Sequence, residues 1–247
     1  MTDVAEPNLE ESLAILISRE IRDFETSACG ALSFIPATGI LLGAEMHAPN
    51  AEIIILGSRD YVPFVSGKDF HFLAQRGQMD LFFISAIEID QQANFNLHAI
   101  GDRDAPDVLM PGQYGTGMLY YAVPRIIMFR TEHTRRTFVE KVSYISGAGT
   151  SPEGFSRRTK EVKVITPMAV LMLNQETRVL ELDTVHPGYT AEQVQDNTGF
   201  DLGIKGDIPT TPPITEDEIR TLRTTVKTHM IESETYPDLA RTRIQEG

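Results

Sequence analysis

Residues 80–121 read DLFFISAIEIDQQANFNLHAIGDRDAPDVLMPGQYGTGMLYY, and this stretch decides the fold. The apolar run Leu81-Phe82-Phe83-Ile84 has the length of a core strand and leads into the weakly alternating Ile87-Glu88-Ile89-Asp90. A polar turn over 91–94 returns the chain through Phe95-Asn96-Leu97-His98, which predicts a hairpin. After the short apolar run Val108-Leu109-Met110 come Gly112, Gly115 and Gly117, three glycines within six residues, and then the apolar and aromatic run 118–123. Strand, glycine loop and helix in that order bring backbone N–H groups close to a ligand.

Outward from this stretch, strands and helices alternate. Leu9, Leu13, Leu16, Ile17 and Ile21 predict an amphipathic helix over 8–23. A strand over 31–35 and a short helix over 38–46, stopped by Pro49, should follow. A buried strand over 52–56 runs into Gly57-Ser58-Arg59-Asp60, a polar loop at a strand's C-terminal end, where open α/β sheets bind ligands. A short helix is expected around 70–74. Downstream lie a strand over 125–129 and a basic helix over 134–142, whose Arg135, Arg136 and Lys141 read as a solvated face. The glycine-rich loop 146–154 is either functional or disordered. Strands over 161–165, 168–173 and 179–184 come next, then a helix over 191–197 opened by the Thr190/Gln193 capping box. A linker over 205–213 leads to a last amphipathic helix capped by Thr215 and Glu218, and the polar final dozen residues should be loosely held. The pattern is α/β: a largely parallel sheet covered by helices, with antiparallel strands added later. One domain is expected over 1–247, with its core at about 9–202 and a C-terminal linker and helix over 203–247.

A net charge of −13 argues against general nucleic-acid binding, which rests on clustered Lys and Arg. No apolar run approaches the roughly 18 to 20 residues of a membrane helix, and the acidic N-terminus is unlike a signal peptide, so a cytoplasmic protein with no membrane association is expected. The single Cys29 lies in an apolar run and reads as a buried thiol. The six histidines show no metal-ligand spacing, so no metal is expected. Neither a G-x-S-x-G elbow nor a Rossmann or Walker fingerprint occurs. Glu45, Glu52, Glu88 and Asp90 fall near strand ends, but most carboxylates of an acidic chain are solvated, and none is marked as a nucleophile.

Several segments together resemble the beta subunits of class I CoA-transferases of the glutaconate type. They are Ala86 to Asp90 with Asn94-Phe95-Asn96, Ile100-Gly101-Asp102, Pro111-Gly112 with Gly115, His133 to Val139, Leu182 to Gly188, and Asn197 to Phe200, in the family's order. The resemblance implies the αβα sandwich of the CoA-transferase type, an alpha subunit as partner in an α2β2 heterotetramer, and an interfacial active site that takes acyl-CoA thioesters, with no cofactor beyond the CoA of the substrate.

Two departures stand out. Transferases whose nucleophile lies on the beta-like half carry a glutamate after the strand corresponding to 53–56; here Gly57-Ser58-Arg59 follow. In the glycine loop Tyr114 stands in place of a glycine. Both departures resemble one subgroup, the beta subunits of bacterial hydrolases that open a carbon ring of steroid-derived CoA esters. That resemblance implies hydrolytic ring opening with the catalytic glutamate on the alpha subunit. This chain would then provide a substrate wall and oxyanion donors from Gln113, Tyr114, Gly115 and Thr116. Asn94 and Asn96 would shape the hairpin, and Arg59 would meet a substrate carboxylate or form a surface ion pair. Two alternatives stay open: a CoA-transferase with its nucleophile on the partner or at Glu88, and a non-catalytic scaffold subunit.

Overall fold

The computed structural model describes residues 4–102 and 104–247, which divide into two compact units, Met1–Phe83 with Pro213–Gly247 and Ile84–Pro212. In the first unit, helix α1 (Leu9–Ser18) is opened by Asn8, whose side chain accepts from Glu10 and Glu11 N–H while Glu11 reaches back to the Asn8 N–H. That reciprocal pairing satisfies N–H groups a helix start leaves unpaired. Strand β1 (Thr26–Cys29) and helix α2 (Phe34–Met46) follow. The strand expected over 31–35 is therefore displaced: the extended segment lies earlier, and the helix starts ahead of Pro36, a residue the first turn of a helix tolerates. Residues Ile35–Gly43 of α2 are all buried, as an apolar surface all round requires. The helix packs closely on the α1 segment, since a Cβ on Gly39 would lie 2.5 Å from Ile17 Cγ2 and one on Gly43 2.6 Å from Ile21 Cβ.

Strand β2 (Glu52–Ile55), helix α3 (Gly67–Arg76) and strand β3 (Leu81–Ser85) complete the N-terminal part. Strand β1 lies between β2 and β3 and runs parallel to both, with Ser27 opposite Ile53 and Leu81. In the second unit, β4 (Glu88–Ile89) and β5 (Phe95–Asn96) form the expected hairpin, and β6 (Ala99–Gly101) pairs antiparallel with β7 (Pro106–Leu109). Helix α4 (Thr116–Ala122) follows the glycine loop. Strands β8 (Arg125–Phe129) and β9 (Glu161–Ile165) are parallel, whereas β10 (Ala169–Leu173) and β11 (Leu180–Val185) add on antiparallel. The expected mix of parallel pairs with later antiparallel additions is thus present. Helix α5 (Ala191–Asp196) carries its Thr190 capping box.

The helix expected over 134–142 does not form. Ile89 N–H instead donates to Thr137 O, and Val139 N–H to Ile89 O, because Thr137 and Phe138 are fully buried beside β4 and extended backbone satisfies both strands. Two of the basic side chains there are engaged, Arg136 with Glu132 at 2.8 Å and Arg135 with the Asp196 carbonyl.

The C-terminal part returns to the first unit. Helix α6 (Glu216–Thr221), a π-helical turn at Leu222–Val226 and α7 (Lys227–Glu232) run on from one another, and α8 (Pro237–Arg243) follows. The last residues are not loosely held, as their polarity suggested: Ile244 is 3% exposed and Gln245 N–H donates to Glu11. Local composition reports polarity but not the partner that a distant helix supplies. Among the described residues no helix is long and apolar enough to cross a membrane.

Candidate functional site

The hairpin of the second unit is built on two buried carboxylates. Glu88 and Asp90 are 5% and 2% exposed, which corrects the expectation of solvated side chains. Glu88 accepts from Asn96 Nδ2 at 2.8 Å, Ser143 N–H at 2.8 Å and the Ser143 hydroxyl at 3.0 Å. Asp90 accepts from the Gln92 and Asn94 N–H groups and from Asn94 Nδ2, all at 3.0–3.1 Å. Burial pushes the Asp90 carboxyl up, and the hydrogen bonds from Asn94 and its neighbours oppose that shift. Both acids are therefore acceptors that hold a turn, and Glu88 is committed to contacts inside the protein. Asn94 and Asn96 do shape the hairpin: Asn94 Oδ1 accepts from Gly149 N–H at 3.0 Å, and Asn96 Oδ1 accepts from His98 N–H at 2.9 Å.

The glycine loop closes on itself. Gln113 Oε1 accepts from Gly117 N–H at 2.9 Å, and the Gln113 carbonyl accepts from both the N–H and the hydroxyl of Thr116. Those groups start α4 and are not free to receive an oxyanion, so Thr116 is a turn residue. Gly115 is left-handed at φ 77, and Tyr114 also has a positive φ, 41, with its side chain turned outward at 72% exposure. A non-glycine residue there is uncommon and places the ring at the tip of the loop.

Two residues that sequence reasoning passed over complete this site. Ser146 Oγ accepts from Leu97 N–H at 2.8 Å and lies 2.6 Å from His98 Nδ1. The other ring nitrogen, Nε2, carries a proton in the tautomer in which Ser146 donates to Nδ1. A Cβ on Gly112 would lie 3.7 Å from that Nε2. The His98 ring also stacks on Tyr144 at 4.5 Å. An imidazole tied to a buried serine thus faces the glycine loop. The two lie 48 positions apart, and no spacing in the sequence marks the pair.

The loop 146–154, which the sequence left as functional or disordered, is locked in its first half. A Cβ on Gly147 would lie 2.3 Å from Phe95 Cε1, and one on Gly149 2.1 Å from the Gln92 carbonyl oxygen. Tyr120 packs against Phe95 with ring centroids 5.4 Å apart and donates its O–H to Ala93 O at 2.9 Å.

In the first unit, Gly57 and Ser58 just after β2 carry no carboxylate. Gly57 has φ +90, and a Cβ there would sit 3.0 Å from the Ala31 carbonyl oxygen. Ser58 is buried with its hydroxyl 2.7 Å from that of Thr235. The Tyr236 hydroxyl lies 3.1 Å from Gly30 O and 3.2 Å from Leu56 O, so the C-terminal segment covers the ends of β1 and β2. Arg59 pairs with Glu234 at 3.6 Å, both side chains well exposed, which is the surface ion pair of the two readings. Cys29 is fully buried, and burial pushes its thiol far up. Among the described residues no group of three or more His, Cys, Asp or Glu could hold a metal ion.

A second buried histidine cluster makes the second unit acid-sensitive. His133 stacks on Phe138 at 4.2 Å and sits 2.9 Å from the Thr166 hydroxyl and 3.0 Å from that of Thr198. Desolvation, then the nearby His186, pulls its pKa from 6.5 down to about 4. The folded ring binds a proton more weakly than the unfolded one, so this contribution is present in full above pH 6.5 and is lost as pH falls toward 4. It should amount to about 3 kcal/mol. Urea midpoints at pH 7.5 and 4.5 should differ accordingly in the wild type, and His133→Gln, which cannot titrate there, should flatten the difference.

A model of the coenzyme A transferase family matches residues 51–197. One of the two subunits of 3-oxoadipate CoA-transferase from Pseudomonas knackmussii is 28% identical over 64% of this chain, and the chain spans 63% of that relative's length. The corresponding subunit of glutaconate CoA-transferase from Acidaminococcus fermentans is 25% identical over 83% of this chain and 87% of its own. The crystal structure of that enzyme superposes with a TM-score of 0.80 at 19% identity, over 99% of this chain and all of the matched one, which speaks for the fold alone. The IpdB subunit of the cholesterol ring-cleaving hydrolase from Rhodococcus jostii is 30% identical over 57% of this chain and 56% of its own length. With the family's model matched over more than half its length, the chain belongs to the coenzyme A transferase family.

Proposed function

We propose that this chain is the beta subunit of a heteromeric hydrolase that opens a carbon ring of a steroid-derived cyclohexenone CoA ester, in an α2β2 assembly whose alpha subunit holds the catalytic glutamate. The observation that carries the reading is the end of β2. Gly57 and Ser58 offer no carboxylate, the backbone at Gly57 is left-handed against Ala31, and Tyr236 covers the strand ends. A glutamyl thioester cannot be formed from this position, which leaves the chain the task of shaping and polarising the substrate. Ring opening needs that task. Water adds to a ring ketone, the adjacent C–C bond breaks, the electron pair leaves as an enolate that is then protonated, and the ketone carbon becomes a carboxylic acid. Oriented N–H donors lower the energy of both the oxyanion and the enolate. With its proton on Nε2, His98 beside Gly112 is such a donor, and the outward Tyr114 ring is the wall. Kinship with the ring-cleaving subunit of R. jostii supports the same choice.

A second reading, transfer of CoA to a free acid, is favoured by the glutaconate relative, whose similarity spans 83% of this chain; the nucleophile would then lie on the partner. The chain purified with its alpha partner is expected to convert a ring-bearing CoA ester to a ring-opened acid that keeps its CoA. Tyr114→Ala should lower kcat/KM about tenfold or more. Transfer of CoA to an added carboxylic acid without ring opening would overturn the proposal, and unchanged turnover in Tyr114→Ala would point to a scaffold.

A further inference from the structure

Arg157, Arg158, Lys160 and Arg178 all lie in the second unit, and among the described residues none of them makes an ion pair, in a chain of net charge −13. Three other arginines of this unit are paired, Arg125 with Glu161 and Arg130 and Arg136 with Glu132. Three of these four, Arg157, Lys160 and Arg178, line a cleft of about 200 Å³ together with Thr150, Ser151 and Phe155, and no carboxylate lines it. Two of the nearby acids are engaged elsewhere: Glu161 with Arg125, and Glu181 with Asn174 and Thr177.

Each cation is held differently. The Arg157 guanidinium sits 4.9 Å from the Tyr120 ring and donates to Ala148 O and Tyr120 O, with its Nε buried and unpartnered. Its charge is thereby fixed in place behind the cleft. Arg178 donates one N–H to Ser151 O at 2.5 Å, which aims its fork across the opening. The Lys160 side chain is exposed, its backbone N–H being held by Pro124 O. Three convergent positive charges flanked by hydroxyls suit a phosphate, for which the arginine fork is geometrically matched. Phe155, 71% exposed at the rim, offers a planar face beside them.

We infer that this cleft binds the phosphorylated nucleotide end of a CoA ester, with Lys160 and Arg178 on the phosphate, Arg157 as the fixed charge behind them and Phe155 under the adenine. The choice of nucleotide rests on the CoA-ester reading above. The cleft has room for a phosphate and its sugar, so the base must lie outside on the aromatic rim.

The assembled complex should be titrated calorimetrically with adenosine 3′,5′-bisphosphate. Binding is expected, weakening with added salt, and the double variant Lys160→Glu/Arg178→Glu should weaken it at least tenfold without changing the thermal midpoint. In turnover, the same variant should raise KM for the CoA ester at least tenfold and leave kcat in place, while the matching pantetheine thioester, which lacks the nucleotide, is processed equally by both proteins. An unmoved KM for the CoA ester, or an equal rise for the pantetheine thioester, overturns the inference. Should the complex turn over no CoA ester, the catalytic reading falls by itself. The titration then still decides the cleft: bisphosphate binding lost in the double variant upholds it, and no binding overturns it.

Discussion

Gly149→Ala is expected to disrupt the candidate site and lower the thermal midpoint by roughly 6 to 12 °C, the equivalent of about 3 kcal/mol in a chain of this size. The added Cβ would lie 2.1 Å from the Gln92 carbonyl oxygen and 2.8 Å from the carbonyl carbon and oxygen of Ala93, backbone atoms that cannot rotate aside. Retreat would break the Gly149 N–H bond to Asn94 Oδ1, and Asn94 is itself tied to Asp90 through its backbone and its side chain. The turn also includes Ala93 at φ 58, so it has no spare conformational room. Gly154→Ala is the control. No atom lies within 4 Å of its Cβ, and only the positive φ of +83 opposes it, worth about 1 kcal/mol. Differential scanning calorimetry of the two variants, with turnover of the assembled complex, decides the matter; midpoints within a degree of each other would sink the packing argument.

Glu11→Ala should destabilise the first unit by about 3–5 kcal/mol, because it leaves a buried guanidinium without its carboxylate. The Glu11 and Arg223 side chains are both 1% exposed and joined by two 3.0 Å hydrogen bonds. Glu11 also accepts from the N–H groups of Asn8 and Gln245, so one carboxylate joins the first helix, the π-helical turn and the C-terminus. Replacing both partners by apolar residues, Glu11→Leu with Arg223→Met, should recover much of the loss, since no charge is then stranded. Urea unfolding of the three proteins tests this. Amide exchange at Gln245 should quicken in Glu11→Ala, and a double variant less stable than the single one would contradict the account.

Much of the architecture was legible because it is local. The apolar run Leu81–Ile84, the turn at 91–94, and the capping boxes at Thr190 and Thr215 each need only a few neighbouring residues, and each forms where expected. The errors fall where a distant partner overrides local preference. Thr134–Val142 has a plausible helical pattern but forms backbone bonds to Ile89, and the polar tail is drawn in by Glu11 and Arg223. The candidate site was legible only in outline. Asn94, Asn96 and the glycine loop could be named, yet Gln113 and Thr116 spend their polar groups on the start of α4, and Arg59 on Glu234.

By itself the sequence determined the alternation of strands and helices, the hairpin and glycine loop, and the lack of a carboxylate at Gly57 and Ser58, since these depend on side-chain period, turn chemistry and residue identity. Only the tertiary structure decided that Glu88 and Asp90 are buried acceptors, that Ser146 orients His98 toward Gly112, and that Arg157, Lys160 and Arg178 share one cleft. The physical reason is that a hydrogen bond or a shared field depends on distance in space. Residues tens of positions apart meet only when packed elements carry the chain back past itself, and no local pattern records that return.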